Sequence, residues 1–292
     1  AVPGSEYPAP LYGGLAVSSR AMQFKAEIRN VAERSGVPAQ AVLQNFMLER
    51  LLERISLSPY KENLVLKGGM LIASLVGTAF RTTMDMDATV RARSLDQATI
   101  QKMLEEICAL ALDDEVRFEF EHLEEIREDD SYGGYRASLI AHFEGIRTPV
   151  KIDLTTGDKL TPDAILYEYP SGFEEKTLEI WAYNLETVLA EKVETILRRS
   201  TLNTRARDFY DVYLLVGTQG ESLDRALFRE ALIATIAHRE SPVLLAKSAE
   251  TLQAILADNA MQARWQRYAQ KYAYARGVEF SNIIQVVSDL LA

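Results

Sequence analysis

The chain has 292 residues, 48% of them hydrophobic, enough for one large domain or two ordinary ones with packed cores, which excludes disorder as its main character. The formal net charge is −10, but residues 113–130 alone hold ten acidic and two basic side chains, so the overall sign does not exclude a nucleic-acid partner for another face. A single cysteine, Cys108, rules out an internal disulfide, and the scattered His122, His142 and His238, with no cysteine partner, give a His/Cys zinc site no support.

Residues 1–17 begin "AVPGSEYPAPLYGG", rich in Pro and Gly and without an initial Met, and are expected to form a flexible arm or a cloning remnant. No apolar run long enough to cross a bilayer and no signal-peptide pattern follows, so a soluble, cytoplasmic protein with no membrane partner is expected. Residues 18–35 and 38–55 read as two helices broken at "SGVP", with Val42, Phe46, Leu48, Leu51 and Leu52 marking a buried face on the second. Such a pair also suits DNA binding, but it lacks a dense basic face, and packing is the simpler role.

"ENLVLKGGMLIASLVG" predicts a short buried strand, Leu64–Lys67, breaking at Gly68-Gly69 into a helix. In "FRTTMDMDATV" a strand pattern puts Met84, Met86, Ala88 and Val90 on one face and Asp85 and Asp87 on the other, about 7 Å apart. Next come a helix over 95–112, two charged strands over 116–126 and 135–144 around "SYGGY", and the strand "TPVKIDLTTGD", where Asp153 faces away from Ile152 and Leu154. From Asn184 the pattern is almost wholly helical, which predicts an α+β protein: a mixed-sheet domain over 18–183 followed by an all-α domain over 184–292 that completes a cleft.

Two like charges on one strand face raise the cost of ionising each other. Asp85, Asp87 and Asp153, at strand ends beside a Gly-Gly turn, suit a cation that gathers them, as in phosphoryl transfer where Mg²⁺ bridges carboxylates and triphosphate oxygens. The tripeptide alone is a weak signal and better fits an exposed edge strand; its neighbours change the balance. Gly68-Gly69 at a strand-to-helix break offers backbone N–H groups to an anion, or is simply a tight turn. Arg81, four residues before Asp85, is placed to answer a phosphate charge, or is an ordinary surface arginine.

On "NLETVLAEKVETILRR" the apolar stripe is Leu185, Val188, Leu189, Val193 and Ile196, and Lys192 falls inside it, so it either snorkels or meets an anion. Arg205, Asp208 and Asp211 line one side of the next helix, as a structural ion-pair set or as part of a polar cleft shared with Lys192. From Lys192 to Arg207 five basic residues face only Glu194, a solvated helix face or a contact for nucleic acid.

In series, "LKGGMLIA", "FRTTMDMD", "VKIDLTTGD", "LAEKVETILRR" and "RARDFYDVYLL" resemble the AbiEii/AbiGii-type nucleotidyltransferase toxins, which include the MenT enzymes, within the DNA polymerase β-like superfamily. The resemblance spans roughly residues 20–217. It implies a nucleotidyltransferase-like mixed sheet, a Mg²⁺-dependent transfer of NMP from an NTP to an RNA 3′ end such as that of tRNA, a block on translation, and a cognate antitoxin. By the same matches Asp85, Asp87 and Asp153 are the metal carboxylates and, with Lys192 and Asp211, the catalytic set. Lys67, Gly68, Gly69, Arg81 and Thr83 are expected on the nucleotide, together with Lys192, Arg205 and Asp208. One departure is Met70, where many relatives carry Thr after the Gly pair, which leaves backbone amides to hold the phosphate. Asp153 shares its strand face with Lys151, so a neighbouring cation competes with a metal for it. Other acceptors (a protein or small molecule), or a non-catalytic partner-docking role, remain consistent with the residues alone.

Overall fold

A computed structural model describes residues 19–77, 83–94, 96–127 and 133–292, with the side chain of Arg127 left out. The proposed arm over 1–17 and Arg81 lie outside the described residues. Helices α1 (Ser19–Ser35) and α2 (Ala39–Leu57) lead into β1 (Leu64–Lys67), α3 (Gly68–Val76), β2 (Met86–Val90) and α4 (Gln97–Cys108). Strands β3 (Arg117–Arg127), β4 (Gly133–Phe143), β5 (Ile146–Thr155), β6 (Ile165–Pro170) and β7 (Thr177–Ala182) follow. The remainder is helical: α5 (Leu185–Arg199), α6 (Ala206–Gln219), α7 (Arg225–His238), α8 (Ser248–Ala257), α9 (Asn259–Lys271) and α10 (Phe280–Leu291).

The strands form one mixed sheet in the order β3-β4-β5-β2-β1-β7-β6. β2 runs parallel to β5 and antiparallel to β1, while β7 runs parallel to β1. The sequence reading missed β6 and β7. In "TLEIWA" the signal was present, since Leu178, Ile180 and Ala182 are buried and alternate with exposed Thr177 and Glu179, a period of two.

β2 starts two residues later than the alternation from Met84 suggested. Pairing begins at Met86 opposite Ile152, so Met84 and Asp85 have no ladder partner, and Met84 is 48% exposed instead of joining Met86, Ala88 and Val90 in the core. Buried Gln44 of α2 fixes the strand entrance: its Nε2 donates to Met84 O and to Pro149 O, both at 3.0 Å. α2 is buried on more than its apolar side. Arg54 forks onto Asp114 at 2.7 and 2.9 Å and also reaches the Leu110 carbonyl, which pins the start of the acidic stretch and ends α4 at Cys108 rather than at 112.

α5 begins where Asn184 accepts from Thr187 N at 2.8 Å, an N-cap that satisfies one of the helix's open amides. Its Val188, Leu189, Val193 and Ile196 are buried as the stripe required, each contributing on the order of 1.5–3 kcal/mol. Among them sits fully buried Glu194, held by Arg198 at 2.9 Å and by Arg239 of the α7 C-terminus at 2.6 Å, which ties α5 to α7. No helix among the described residues is long and apolar enough to cross a membrane.

Candidate active site

One row of cross-strand partners organises the site. Glu124 on β3 faces Arg136 on β4, Arg136 faces Asp153 on β5, Asp153 faces Asp87 on β2, and Asp87 faces Lys67 on β1. Neighbouring strands lie about 4.8 Å apart, so Asp87 and Asp153 are brought into the same small volume. Asp85, just outside the ladder, joins them, its backbone carbonyl and Oδ1 receiving the Thr83 hydroxyl at 3.0 and 3.4 Å.

The turn at Gly68 makes room for this group. Gly68 has φ +67°, open to glycine at no steric cost, and a Cβ there would stand 2.1 Å from Asp87 Oδ2. The same oxygen receives the Gly69 N–H at 3.4 Å. Burial pushes the Asp87 carboxyl up to about 6, with Asp85 and Asp153 adding repulsion against the opposing pull of Lys67 and the Gly69 amide. Asp153 receives both arms of Arg136, Nε to Oδ1 at 2.7 Å and Nη2 to Oδ2 at 2.6 Å.

Behind the row, Asp158 Oδ2 accepts from Lys67 Nζ at 2.6 Å, Thr89 Oγ1 at 2.6 Å, Thr155 Oγ1 at 2.8 Å and Tyr183 Oη at 2.9 Å. Burial alone would raise this carboxyl; the Lys67 charge and the hydrogen bonds outweigh it and hold it well below the usual range. Lys67 is thereby fixed beside Asp87.

Across the opening, α5 and α6 supply the opposite wall. Lys192 Nζ meets Asp208 Oδ1 at 2.6 Å and fully buried Asp211 Oδ2 at 3.1 Å. The resulting cleft has a volume of about 770 Å³, and Arg198, Arg199, Arg205, Arg207 and Arg239 line it opposite the carboxylates. A groove of about 950 Å³ by α1 and α2, lined by Phe24, Phe46, Phe143 and Phe173, shares no lining residue with this cleft and groups no strand-end carboxylates.

A family model described as "Nucleotidyl transferase AbiEii toxin, Type IV TA system" matches residues 50–286. The chain belongs to the AbiEii nucleotidyltransferase toxin family. It is a nucleotidyltransferase, and membership of a type IV toxin–antitoxin family implies a nucleoside triphosphate substrate and an antitoxin partner. Two solved Helicobacter pylori structures share the AbiEii chain's fold. One, provisionally described as a nucleotidyltransferase, has 12% identity, a TM-score of 0.53 and coverage of 87% of this chain and 94% of that one. The other, JHP933, has 12% identity, a TM-score of 0.52 and coverage of 86% and 90%. No curated protein matches significantly.

Of the residues expected on the site, Lys67, Gly68, Gly69, Thr83, Asp85 and Asp87 line the AbiEii cleft, as do Asp153, Lys192, Arg205 and Asp208. Asp211 stands behind Lys192 rather than on the cleft surface. Arg136, Asp158, Gln44 and Arg239 escaped the sequence reading. Asp158 closes the same "VKIDLTTGD" stretch as Asp153, but its partners Lys67, Thr89 and Tyr183 come from elsewhere in the chain; the other three lie in no local pattern with the carboxylates, and strand register or helix packing reveals them.

A divalent ion fits the donor set. Asp85 and Asp87 offer hard carboxylate oxygens, the Asp87 charge lacks full compensation, and the glycine turn leaves space at its oxygen. Among the described residues no three His, Cys, Asp or Glu side chains converge as a ready ligand set, and Asp153 is turned onto Arg136. The N-cap residue Lys67 makes no side-chain cap to α3, and the Gly69 N–H has only the long 3.4 Å contact to Asp87, so Gly68 and Gly69 line the cleft as the hydroxyl-free anion turn that Met70 implied.

Proposed function

We propose that this AbiEii protein transfers NMP from an NTP to an RNA 3′ hydroxyl, the acceptor end of tRNA, in a Mg²⁺-dependent reaction that blocks translation and is countered by a cognate antitoxin. The observation that carries the reading is the meeting of Asp85, Asp87 and Asp153 beside the Gly68 turn, opposite a wall of arginines.

Mg²⁺ held by Asp85 and Asp87 would neutralise charge on the triphosphate. The first turn of α3 and Lys192 receive the β and γ phosphates, and Arg205 closes on them from the start of α6. Asp153, oriented by Arg136, accepts the hydrogen bond of the incoming hydroxyl and directs its oxygen at the α-phosphorus. The new P–O bond forms as the bond to pyrophosphate breaks, the proton of the hydroxyl passes to the Asp153 carboxylate, and the cationic wall takes up the charge that leaves. Arg198, Arg199 and Arg207 suit a polyanionic acceptor and support RNA over a neutral small molecule.

The test is incubation with Mg²⁺, bacterial RNA and each α-³²P-labelled NTP beside an Asp85→Ala control. Label on a tRNA-sized band, lost in the control, is expected. Label only on protein or a small molecule would refute the RNA acceptor, and equal label with Asp85→Ala would refute the metal assignment.

A further inference from the structure

The third carboxylate is committed in a way the first two are not. Arg136 approaches Asp153 with a bidentate fork at 2.7 and 2.6 Å, one nitrogen per oxygen. This geometry is roughly twice as strong per bond as a neutral hydrogen bond and is matched by shape as well as charge. The carboxylate is only 13% exposed, so water competes little for it, while the guanidinium, at 33%, keeps part of its hydration. Arg136 is anchored from further sides: Glu124 is its ladder partner on β3, and the charges of Asp85 and Glu124 add to the hold of Asp153 on it. A metal on Asp153 would have to share oxygens that the Arg136 guanidinium already holds and whose charge it already balances.

By contrast, Asp87 meets a backbone N–H at 3.4 Å and the charge of Lys67, whose ammonium also holds Asp158. Along the ladder row the charges run minus, plus, minus, minus, plus from Glu124 to Lys67. Arg136 therefore sits where a second cation would balance Asp153, while among the described residues no guanidinium forks onto Asp85 or Asp87 in this way.

We propose that Arg136 stands in for a second metal ion: it neutralises Asp153, so that a divalent ion is held by Asp85 and Asp87 without it, and it acts as the positioning residue that aims Asp153 at the acceptor. The inference rests on the reading of Asp85 and Asp87 as the metal pair.

The test is titration of the full chain with Mn²⁺ alone, read from the electron paramagnetic resonance signal of the free ion, with melting curves to verify folding. Asp85→Ala is expected to weaken Mn²⁺ binding at least about tenfold, as loss of a ligand does. The double variant Arg136→Gln/Asp153→Asn keeps the net charge of the pair and removes both its members. It is expected to bind Mn²⁺ within about twofold of the wild type, as independent sites do. Arg136→Leu/Asp153→Leu carries the same charge balance and decides the matter if the first pair does not fold. A loss in either double variant as large as that of Asp85→Ala would show that Asp153 is a ligand and overturn this inference while leaving the metal pair in place. Undiminished binding by Asp85→Ala would overturn the metal pair and the inference with it.

Positioning has its own readout. Arg136→Lys retains the charge but offers one point contact, so kcat for nucleotide transfer is expected to fall by about tenfold or more with the KM for NTP little changed. An unchanged kcat would overturn the positioning role.

Discussion

A β-carbon on Gly68 would stand 2.1 Å from Oδ2 of Asp87, inside any allowed contact. The glycine at the β1–α3 turn and the carboxylate on β2 are thus one unit: the second occupies the space that the first leaves. Gly68→Ala must move Asp87 and also carry a φ of +67°. We expect a stability cost of about 1–2 kcal/mol and a fall in transfer rate of about a hundredfold, because displacement of a catalytic group by an ångström is that costly. Urea midpoints and initial rates measure both, and a near-wild-type rate would show that Asp87 has another place to go.

Asp87 carries an electrostatic cost in the metal-free protein. Its carboxyl is pushed up to about 6 in the fold, first by burial and then by Asp85, from 3.8 in the unfolded chain. A carboxyl raised in this way is bound to its proton more tightly by the folded state, so stability declines as pH rises from about 4 to 6 and stays reduced above. Asp87→Asn removes the charge and keeps an oxygen for the Gly69 amide. Without divalent metal it should be more stable than wild type by about 1–3 kcal/mol at pH 7.5, with the gap closing below about pH 4. Thermal melts across that range would contradict this if the variant were less stable at high pH.

Asp158 works in the opposite direction. Its Oδ2 holds four donors, among them the Lys67 ammonium, and its carboxyl lies well below the usual range. The stabilisation is complete above about pH 4, where the unfolded chain is ionised, and drains away as pH falls towards the folded value. Asp158→Ala leaves Lys67 buried without its carboxylate, and a loss of about 3–5 kcal/mol is expected. A loss below about 1 kcal/mol in chemical denaturation would mean that water replaces the carboxylate at little cost.

Arg207 is assigned to RNA phosphate rather than to chemistry. Arg207→Ala should weaken RNA binding evenly across sequences and lower the slope of log K against log salt by about 0.7–0.9. Fluorescence titrations at several salt concentrations measure it. An unchanged slope would take Arg207 out of the acceptor contact.

Lys192 has two roles, since it lines the cleft and also balances Asp208 and buried Asp211. Lys192→Met should cost about 3 kcal/mol or more in stability by removing the cation that Asp208 and Asp211 share, and should also abolish NTP binding. Lys192→Arg is the informative partner: it keeps the charge, so a folded variant without NTP affinity would isolate the phosphate contact from the structural one.

Local spacing made much of the site legible. Alternation of period two put Asp85 and Asp87 on one strand face, and 100° per residue put Lys192 in an apolar stripe and Asp208 and Asp211 along one side of α6. The Gly-Gly break between strand and helix also reads directly from composition. These features depend on neighbours within a few residues in the chain, so the sequence carries them without help.

Register and packing lie elsewhere. That Asp153 faces Asp87 while Arg136 faces Asp153 depends on which strands pair and where, and a one-residue slip would turn each side chain to the other face. The start of β2 at Met86, the four donors on Asp158, and the Gln44 amide that pins the strand entrance likewise join residues far apart in the chain. By itself the sequence determined that the chain has an acidic strand end, a glycine turn and a cationic helix wall, because each is a periodic or compositional pattern. Tertiary structure alone decided which acid meets a cation, because pairing across a sheet has no signature within either strand.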